Sequence, residues 1–357
     1  MKMTSLERVR NAAVRKKTDR PCTGLRCTPE AWEKLREYFS VQTDNEVLDL
    51  LDIDLRWVAP TFTGPKEKSA IPLWSEGYDF WGCHTKAAKN EFNTYYEFDF
   101  HPLAEAESVE EVHAHDWPSL DWWDFSSIVE QSEAHDAKER RAHMFFCGGT
   151  FETPWYIRGM ETFFMDLYEN PDIVTAICTH VGDYYQARAM MAIERTGGCI
   201  DMIGSGGDIG GQHGMMIDPE LWRELIKPHS RRLIEPFREK GLMTFYHSCG
   251  SLVPTIDDLI EMGLQFLDPI QVTATGMEPE NIFKLFGDRL SFHGAVDEVE
   301  LLPHATPGEV YDETIRLIDI LGANSGFIVA PSHMVQGDTA PENIEVIYKA
   351  VKDYPNR

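Results

Sequence analysis

The chain has 357 residues, of which 43% are hydrophobic, and its 9 Trp, 12 Tyr and 19 Phe supply apolar material for a large core. Acidic residues outnumber basic ones by 59 to 33, so the formal net charge is -26. We therefore expect neither nucleic acid nor an anionic membrane surface as a partner, because both attract clusters of Lys and Arg.

The first residues and the cysteines predict a cytoplasmic location. Residues 1–8 lead directly into a charged amphipathic segment, without the apolar stretch of an export signal. No apolar run approaches the roughly 18 residues that cross a bilayer. The seven cysteines are scattered and form no CxxC pair, which predicts free thiols and no disulfide framework.

The N-terminal third predicts two helices, an early strand and an aromatic-rich elaboration. Residues 5–17 and 28–38 have helical patterns, and residues 49–60 (DLLDIDLRWVAP) have the composition of a strand. Residues 61–123 are rich in aromatic side chains and turn formers. Within them, residues 92–100 (FNTYYEFDF) have a strand-like composition, which predicts a hairpin folded over one end of the main fold.

From about residue 141 onwards, short apolar runs alternate with helical stretches. Candidate strands cover residues 143–147, 199–203, 242–247, 265–269, 290–293 and 327–331. Helices are predicted within residues 170–197, 218–241, 251–263, 278–287, 306–322 and 339–354. Several of these helical stretches start with a proline after a capping residue and end at a glycine, which are the usual signals for the two ends of a helix.

The alternation of strands and helices predicts parallel strands with helices outside, because parallel strands need crossover connections. A doubly wound open sheet would alternate in the same way, but no G-x-G-x-x-G motif follows any strand. We therefore expect an α/β fold of the (β/α)8 TIM-barrel type. It forms one domain over residues 1–357, with N-terminal helices and the aromatic-rich elaboration at about 61–123.

Barrel enzymes place their reactive groups at the C-terminal ends of the strands. In this chain, polar side chains that can bind metal or move protons follow the predicted strands at seven positions. They are Glu152, Asp208, His247, Cys249, Asp268, His293 and His333. This coincidence predicts an active site at the C-terminal end of the barrel.

The sharpest local feature is the sequence His-Ser-Cys-Gly after a predicted strand. The imidazole of His247 and the thiol of Cys249 are spaced so that both can reach one metal ion, and N and S ligands suit zinc. His333, after the last strand, is the candidate third ligand. The alternative is a histidine packed at the barrel rim beside a small buried cysteine, and two potential ligands alone favour that alternative.

This H-S-C-G segment is preceded by G-G-D-I-G-G-Q-H-G and D-P-E-L-W-R-E-L-I-K-P and is followed by A-P-S-H-M-V-Q-G-D-T-A-P-E-N-I at residues 330–344. As a set, the segments resemble the uroporphyrinogen decarboxylase superfamily, and the resemblance extends from about residue 150 to the C-terminus. Within that superfamily, methyltransferases that pass methyl groups between corrinoid proteins and thiols bind zinc through His-x-Cys and a distant Cys.

The resemblance implies that His247 and Cys249 bind zinc, with His333 at the third position in place of Cys. An imidazole can replace a thiolate on zinc, but the site becomes less anionic. This departure leaves room for a metal that polarises an oxygen substrate instead of one that activates a thiol.

The true decarboxylases of this superfamily carry an N-terminal motif with paired arginines, R-Q-A-G-R, that grips the carboxylates of the substrate. Residues 19–27 (DRPCTGLRC) do not contain it. A tetrapyrrole octa-acid would also meet a strongly acidic protein. Decarboxylation is therefore the second choice for the chemistry.

Further candidates lie in the loops after the strands. Asp208 is a candidate acid or base, with a capping aspartate of the next helix as the alternative, and Gln212 is a candidate for binding substrate. Glu152 is a candidate metal ligand or general acid, or else a solvent-facing carboxylate. Trp155 and Tyr156 are candidates for an aromatic substrate pocket, although aromatic residues near a barrel mouth more often serve plain packing.

Asp268 and His293 are candidates for substrate binding or for orienting a metal ligand. A structural histidine is the alternative for His293.

The resemblance implies a zinc-dependent methyltransferase that moves a methyl group between a small methylated substrate, or a thiol, and a corrinoid. The corrinoid would be carried by a separate protein, and the many Trp and Tyr residues favour a methoxylated aromatic donor. A metal-free lyase of the same fold and a non-catalytic module that binds a corrinoid protein or a substrate remain as alternatives. The oligomeric state is left open, and a homodimer is one of the options.

Overall fold

Eight parallel strands form the central sheet of the computed structural model, which describes residues 2–70 and 75–356. In chain order they are β1 (Cys22–Thr23), β2 (Leu55–Trp57), β3 (Ala142–Gly149), β4 (Met202–Gly206), β5 (Met243–His247), β6 (Phe266–Asp268), β7 (Ser291–Val296) and β8 (Phe327–Pro331). Their hydrogen-bonded order is β1-β8-β7-β6-β5-β4-β3-β2. Between the two outermost strands of this order, the backbone N–H of Asp54 donates to the carbonyl of Thr23 at 3.1 Å. The sheet is a nearly closed (β/α)8 barrel, which confirms the predicted fold.

Helices lie between the strands and outside them. Many begin with a proline at the first helical position, where no backbone N–H is needed. The α-helices are Ser5–Ala13, Pro29–Phe39, Asp44–Leu50, Val109–Ala114, Ser126–His135, Glu152–Arg158, Met160–Glu169, Pro171–Arg195, Pro219–Leu225, Lys227–Arg232, Glu235–Glu239, Ile256–Glu261, Pro279–Phe286, Leu301–His304, Pro307–Leu321 and Pro341–Asp353. Short 3-10 turns cover Leu120–Trp122, Val253–Thr255 and Tyr354–Asn356. Within the described residues, no helix is both long enough and apolar enough to span a bilayer.

The structure corrects one predicted helix. The helix expected over residues 218–241 is divided into the three helices that lie between Pro219 and Glu239. Pro228 and Pro236 explain the divisions, because proline removes a backbone donor and clashes with the preceding turn.

Two predicted strands are also corrected. The strand expected at residues 199–203 lies three residues later, as β4. A Cβ on Gly204 would lie only 2.7 Å from the ring of Phe146 in β3, so the glycine makes room for an aromatic side chain inside the barrel and does not mark the end of a strand. The strand expected at residues 49–60 is shorter in the structure: it covers only β2, and a short helix precedes it.

The N-terminal end of the barrel is closed by the helix Ser5–Ala13. Its apolar side chains join a buried cluster with residues of the barrel interior, among them Met144, Met202 and Phe245. Arg8 of the same helix is buried and pairs with Asp54 at 2.5 Å. Because this end is filled by packing and ion pairs, space for a ligand remains at the opposite, C-terminal end.

The aromatic-rich elaboration contains a small four-stranded sheet, built from residues 68–69, 77–79, 84–89 and 94–100. Its last two strands, His84–Lys89 and Thr94–Phe100, pair antiparallel. This is the hairpin predicted from residues 92–100, and it lies over the C-terminal end of the barrel, where Phe98 contacts Tyr156 in the helix Glu152–Arg158 after β3.

Candidate metal centre and active site

Three possible metal ligands meet at the C-terminal end of the barrel. His247 is the last residue of β5, Cys249 lies two residues further on, and His333 lies in the loop after β8. Their potential ligand atoms all lie within 4.8 Å of one another. The Sγ atom of Cys249 is 3.7 Å from Nε2 of His247, and the two imidazole rings lie 5.7 Å apart between centroids.

Asp268 holds two imidazoles in place. Its Oδ2 atom lies 2.6 Å from Nδ1 of His247, and its Oδ1 atom lies 2.5 Å from Nδ1 of His293. Burial alone would raise the pKa of Asp268, but the charges of His293, Arg26 and His247 hold it well below the usual range. Asp268 is therefore an anion that accepts both N–H groups, and this arrangement directs Nε2 of His247 towards Cys249.

Arg26 was not anticipated from the sequence. Its guanidinium lies 3.3 Å from Oδ2 of Asp268 and 4.8 Å from the ring of Trp57. Nearby, a Cβ on Gly24 would lie 2.6 Å from Nε2 of His293, so a glycine is required for this close approach. The sequence pattern could not single out Arg26, because the preceding strand, β1, has two residues and is too short to show the hydrophobic alternation of a strand.

Asp208 supports the loop that carries Cys249. Its Oδ1 atom accepts a hydrogen bond from the backbone N–H of Cys249 at 2.7 Å and lies 3.6 Å from Nε2 of His247. The next helix is capped by Asp218 instead, which accepts from the N–H groups of Glu220 and Leu221. Asp208 therefore belongs to the cluster, and the alternative of a helix cap does not apply.

Two glycines allow the loops after β4 and β5 to touch. A Cβ on Gly210 would lie 2.6 Å from the carbonyl oxygen of Cys249 and 2.8 Å from that of Ser251. Gly250 has a φ of +77° and faces the backbone of Gly210, in a conformation that other residues rarely adopt. This backbone contact positions Cys249.

Gln212 lies at the exposed edge of the same loop. Its side-chain amide donates to the carbonyl of Thr273 at 2.5 Å. Gln271, which the sequence did not single out, accepts from the N–H of Gly250 at 2.7 Å and lies 3.4 Å from Gln212. Gln212 therefore links the loop after β4 to the loop after β6.

Glu152 is the first residue of the helix after β3, and the hydroxyl of Tyr156 donates to its Oε1 atom at 3.2 Å. Burial, together with the nearby charge of Asp208, raises the pKa of Glu152 to about 7. The carboxyl group also interacts electrostatically with His247, which argues against a solvent-facing role.

Trp155 and Tyr156 are neighbours on this helix, with their rings at 4.3 Å between centroids. The indole Nε1 of Trp155 is buried and has no hydrogen-bond partner in the described part of the chain. Tyr156 also packs against Phe98 of the hairpin, at 4.6 Å between ring centroids. The aromatic residues thus form a surface beside Glu152.

The three possible ligands fit a zinc ion. Zn–N bonds of about 2.0–2.1 Å and Zn–S bonds of about 2.3 Å place tetrahedral N and S ligands roughly 3.5 Å apart. The observed separation of 3.7 Å between His247 and Cys249 agrees with this geometry. Burial lowers the pKa of His333 to about 4, so its imidazole is in the neutral form that binds metal. Despite burial, Asp268 and Cys249 raise the pKa of His247, and burial raises the pKa of Cys249, so zinc would displace protons from these two ligands.

Comparisons with known proteins place these features in context. The family model described as Uroporphyrinogen decarboxylase (URO-D) matches residues 105–354. Methylcobamide:CoM methyltransferase MtbA of Methanosarcina acetivorans is 22% identical over 212 residues, which are 58% of this chain and 56% of the relative. Methylated-thiol–coenzyme M methyltransferase of Methanosarcina mazei is 26% identical over 144 residues, which are 39% of this chain and 35% of the relative.

Uroporphyrinogen decarboxylase of Rickettsia bellii is 24% identical over 145 residues, 40% of this chain and 39% of that protein. The matches thus span between about a third and just over half of the length of these relatives. A solved structure, a methyltransferase from Methanosarcina mazei, superimposes over 99% of both chains with a TM-score of 0.70 and 14% identity. At that identity the superposition establishes the shared fold.

Proposed function

We propose that this chain, which belongs to the uroporphyrinogen decarboxylase family, is a zinc-dependent methyltransferase. It moves a methyl group between a small methylated substrate, or a thiol, and a corrinoid that is carried by a separate protein. The observation that carries the proposal is the cluster of His247, Cys249 and His333 at the C-terminal end of the barrel. Two of the relatives are named as methyltransferases, which supports the same reaction class.

His247, Cys249 and His333 would hold the zinc ion through two nitrogens and one sulfur, as the donor set and its spacing allow. A zinc ion held by these residues would act as a Lewis acid towards a heteroatom of the substrate, which would make an ether a better methyl donor or a thiol a better methyl acceptor.

The other residues of the site bind, orient and hold protons in this proposal. Asp268 orients His247, and Asp208 orients Cys249 through its backbone N–H. Glu152 holds a proton near neutral pH and accepts a hydrogen bond from the hydroxyl of Tyr156. A carboxyl group with a pKa close to the working pH is well suited to give a proton to a leaving oxygen.

Decarboxylation of a polycarboxylate is disfavoured by the positions of the two arginines in residues 19–27. Arg20 lies at the N-terminal end of the barrel, where it pairs with Asp52 and Asp54 at 2.8 and 2.7 Å. Arg26 pairs with Asp268. Neither arginine is free to grip a carboxylate of a substrate.

Metal content is the first test. We expect about one zinc per chain in the purified protein by elemental mass spectrometry, and loss of zinc in His247→Ala, Cys249→Ala and His333→Ala. The same variants should lose methyl exchange between methylcobalamin and 2-mercaptoethanol, which is followed by the change in corrinoid absorbance. His304→Ala provides a matched control, since His304 lies in a separate helix after β7.

A protein that binds no zinc even after zinc-supplemented expression would refute the zinc proposal. Activity that survives chelation would then favour the metal-free lyase. Zinc binding without any turnover would favour a module that binds a corrinoid protein or a substrate.

A further inference from the structure

Two histidines face each other where the aromatic-rich elaboration meets the helices outside the barrel. His113 lies in the helix Val109–Ala114 of the elaboration, and His180 lies in the long helix Pro171–Arg195. Nδ1 of His113 and Nε2 of His180 are 2.9 Å apart. His113 is exposed and His180 is half-buried, so an ion from solvent can reach both nitrogens.

Packing from both helices holds the histidine pair in place. The ring of Trp117 stacks on the ring of His180, with the centroids 4.4 Å apart and the planes 10° from parallel. The indole Nε1 of Trp117 donates to the carbonyl of Val112, the residue before His113, at 3.0 Å. Val112 is buried in a cluster that also contains Ile177 of the long helix. The two imidazoles are therefore oriented by rigid elements before any ligand binds.

The charge state of the pair suits a metal ion. Burial lowers the pKa of His180, and the charges of His113 and His115 lower it further, whereas the charge of Asp183 opposes them. The neutral imidazole, which is the form that binds metal, is therefore favoured. In a neutral pair one nitrogen donates a hydrogen bond to the other, so an ion that binds both nitrogens displaces one proton. The formal net charge of -26 attracts cations to the protein as a whole.

The separation of the two nitrogens indicates which ions fit. Two ligands at about 2.0–2.1 Å from an ion lie roughly 2.8–3.0 Å apart when they meet at a right angle, as in tetragonal Cu(II) or Ni(II) sites. In a tetrahedral zinc site they lie roughly 3.3–3.4 Å apart. The observed 2.9 Å agrees with the right-angled arrangement, and imidazole is a ligand that suits copper and nickel.

We propose that His113 and His180 form a second metal site, which binds a Ni(II) or Cu(II) ion and ties the elaboration to the helix Pro171–Arg195. Water supplies the remaining ligands. The site shares no residue with the candidate zinc centre, and the inference does not rest on the proposed methyltransferase function. Because only folding brings the two imidazoles together, a bound ion stabilises the folded protein.

Calorimetric titration of the full-length chain with Ni(II) tests the site. Cys249→Ala/His333→Ala serves as the background, because it removes two of the three possible ligands of the zinc centre. We expect one Ni(II) per chain to bind in this background. Adding His113→Ala or His180→Ala should weaken binding roughly 10²- to 10⁴-fold, since the second imidazole binds in an effectively intramolecular step. His84→Ala is the matched control, because His84 lies in the same elaboration and pairs with Asp99.

Two further measurements separate a metal bridge from a general effect on folding. His180→Phe keeps a ring that can stack on Trp117 but has no ligand atom, so it should lose Ni(II) binding while its metal-free thermal unfolding matches the background. Ni(II) at a 100-fold excess over its Kd should raise the Tm of the background by roughly 3 °C and should leave the Tm of His180→Phe unchanged.

The inference is overturned if the background binds no Ni(II), or if binding survives in both His113→Ala and His180→Ala. Loss of binding in only one of these two variants would show a site with a single histidine and would refute the bridge. X-ray absorption of the Ni(II) complex should show scattering from two imidazole rings, and scattering from one ring would likewise refute it. The zinc content of the wild type tests the proposed function independently of these results.

Discussion

The carboxylate of Asp268 lies 2.6 Å from Nδ1 of His247, and this contact determines which nitrogen of the imidazole faces the cluster. Nδ1 is engaged with the carboxylate, and Nε2 lies 3.7 Å from the thiol of Cys249. The same carboxylate also accepts a hydrogen bond from Nδ1 of His293, so one buried anion orients two imidazole rings.

Replacing Asp268 by Asn should weaken zinc binding about 10- to 100-fold, the usual cost of losing a partner that orients a metal ligand. The amide lacks the negative charge that stabilises the ring orientation of His247. Competition with a chromophoric chelator measures the affinity. Asp201→Asn is the matched control, because Asp201 is a buried carboxylate at the opposite end of the barrel. Equal zinc affinity in Asp268→Asn and wild type would contradict the orienting role.

Gly210→Ala should displace the loop that carries Cys249 and lower zinc affinity. The added Cβ would lie 2.6 Å from the carbonyl oxygen of Cys249, a distance that real contacts do not show. Gly214→Ala, in the same loop, meets no atom within 4 Å and serves as the control. We expect zinc loss only in the first variant, measured by elemental mass spectrometry. Full zinc content in a folded Gly210→Ala protein would show that the backbone contact does not position the thiol.

Glu152→Gln should lower the rate of methyl transfer from an ether roughly 10²- to 10⁴-fold, the usual contribution of a general acid. Since the acid must be protonated to act, kcat/KM of the wild type should fall as the pH rises through about 7, the pKa of Glu152. The variant should lack this limb of the profile. Glu161→Gln, an exposed carboxylate on the following helix, is the control. A pH profile that is identical in wild type and Glu152→Gln would exclude the acid role.

Asp79→Asn should change the pH dependence of stability. Asp79 is 2% exposed, and burial raises its pKa from 3.8 to about 6 despite hydrogen bonds from the N–H groups of Cys83 and Trp81. The folded state therefore binds the proton of Asp79 more tightly than the unfolded state does. The stabilisation that this bound proton gives the folded state is lost as the pH rises from about 4 to about 6.

The free energy of unfolding of Asp79→Asn minus that of wild type should thus increase by about 3 kcal/mol as the pH rises from 4 to 7. Urea titrations at both pH values measure this difference. Asp288→Asn, whose carboxylate is exposed, should show no comparable gain. A difference between Asp79→Asn and wild type that does not vary with pH would contradict the raised pKa.

Local patterns predicted most of the barrel. β8 lies at residues 327–331 as predicted, because a short apolar run between a glycine-bearing turn and a polar loop is a strong strand signal. β4 was displaced by three residues in the prediction. Glycine normally argues against a strand, and only the ring of Phe146 in the neighbouring strand explains why glycine is needed at Gly204.

The candidate ligands His247, Cys249 and His333 were named from their positions after strands, and the structure brings them together. Arg26 and Gln271 were missed. Arg26 follows a strand of two residues, and Gln271 acts through contacts with Gly250 and Gln212, which are distant in sequence. Neither residue lies in a motif with a characteristic spacing.

From about residue 141 onwards, the sequence by itself determined the order of strands and helices, and with it the end of the barrel where reactive side chains collect. This follows because hydrophobic periodicity and capping are local properties of the chain. Only the tertiary structure decided that Asp268 orients His247, and that the hairpin contacts Tyr156 through Phe98 and the N–H of Gly337 through Asn93. Such contacts depend on strand register and loop packing across the barrel, which no short segment of the chain specifies.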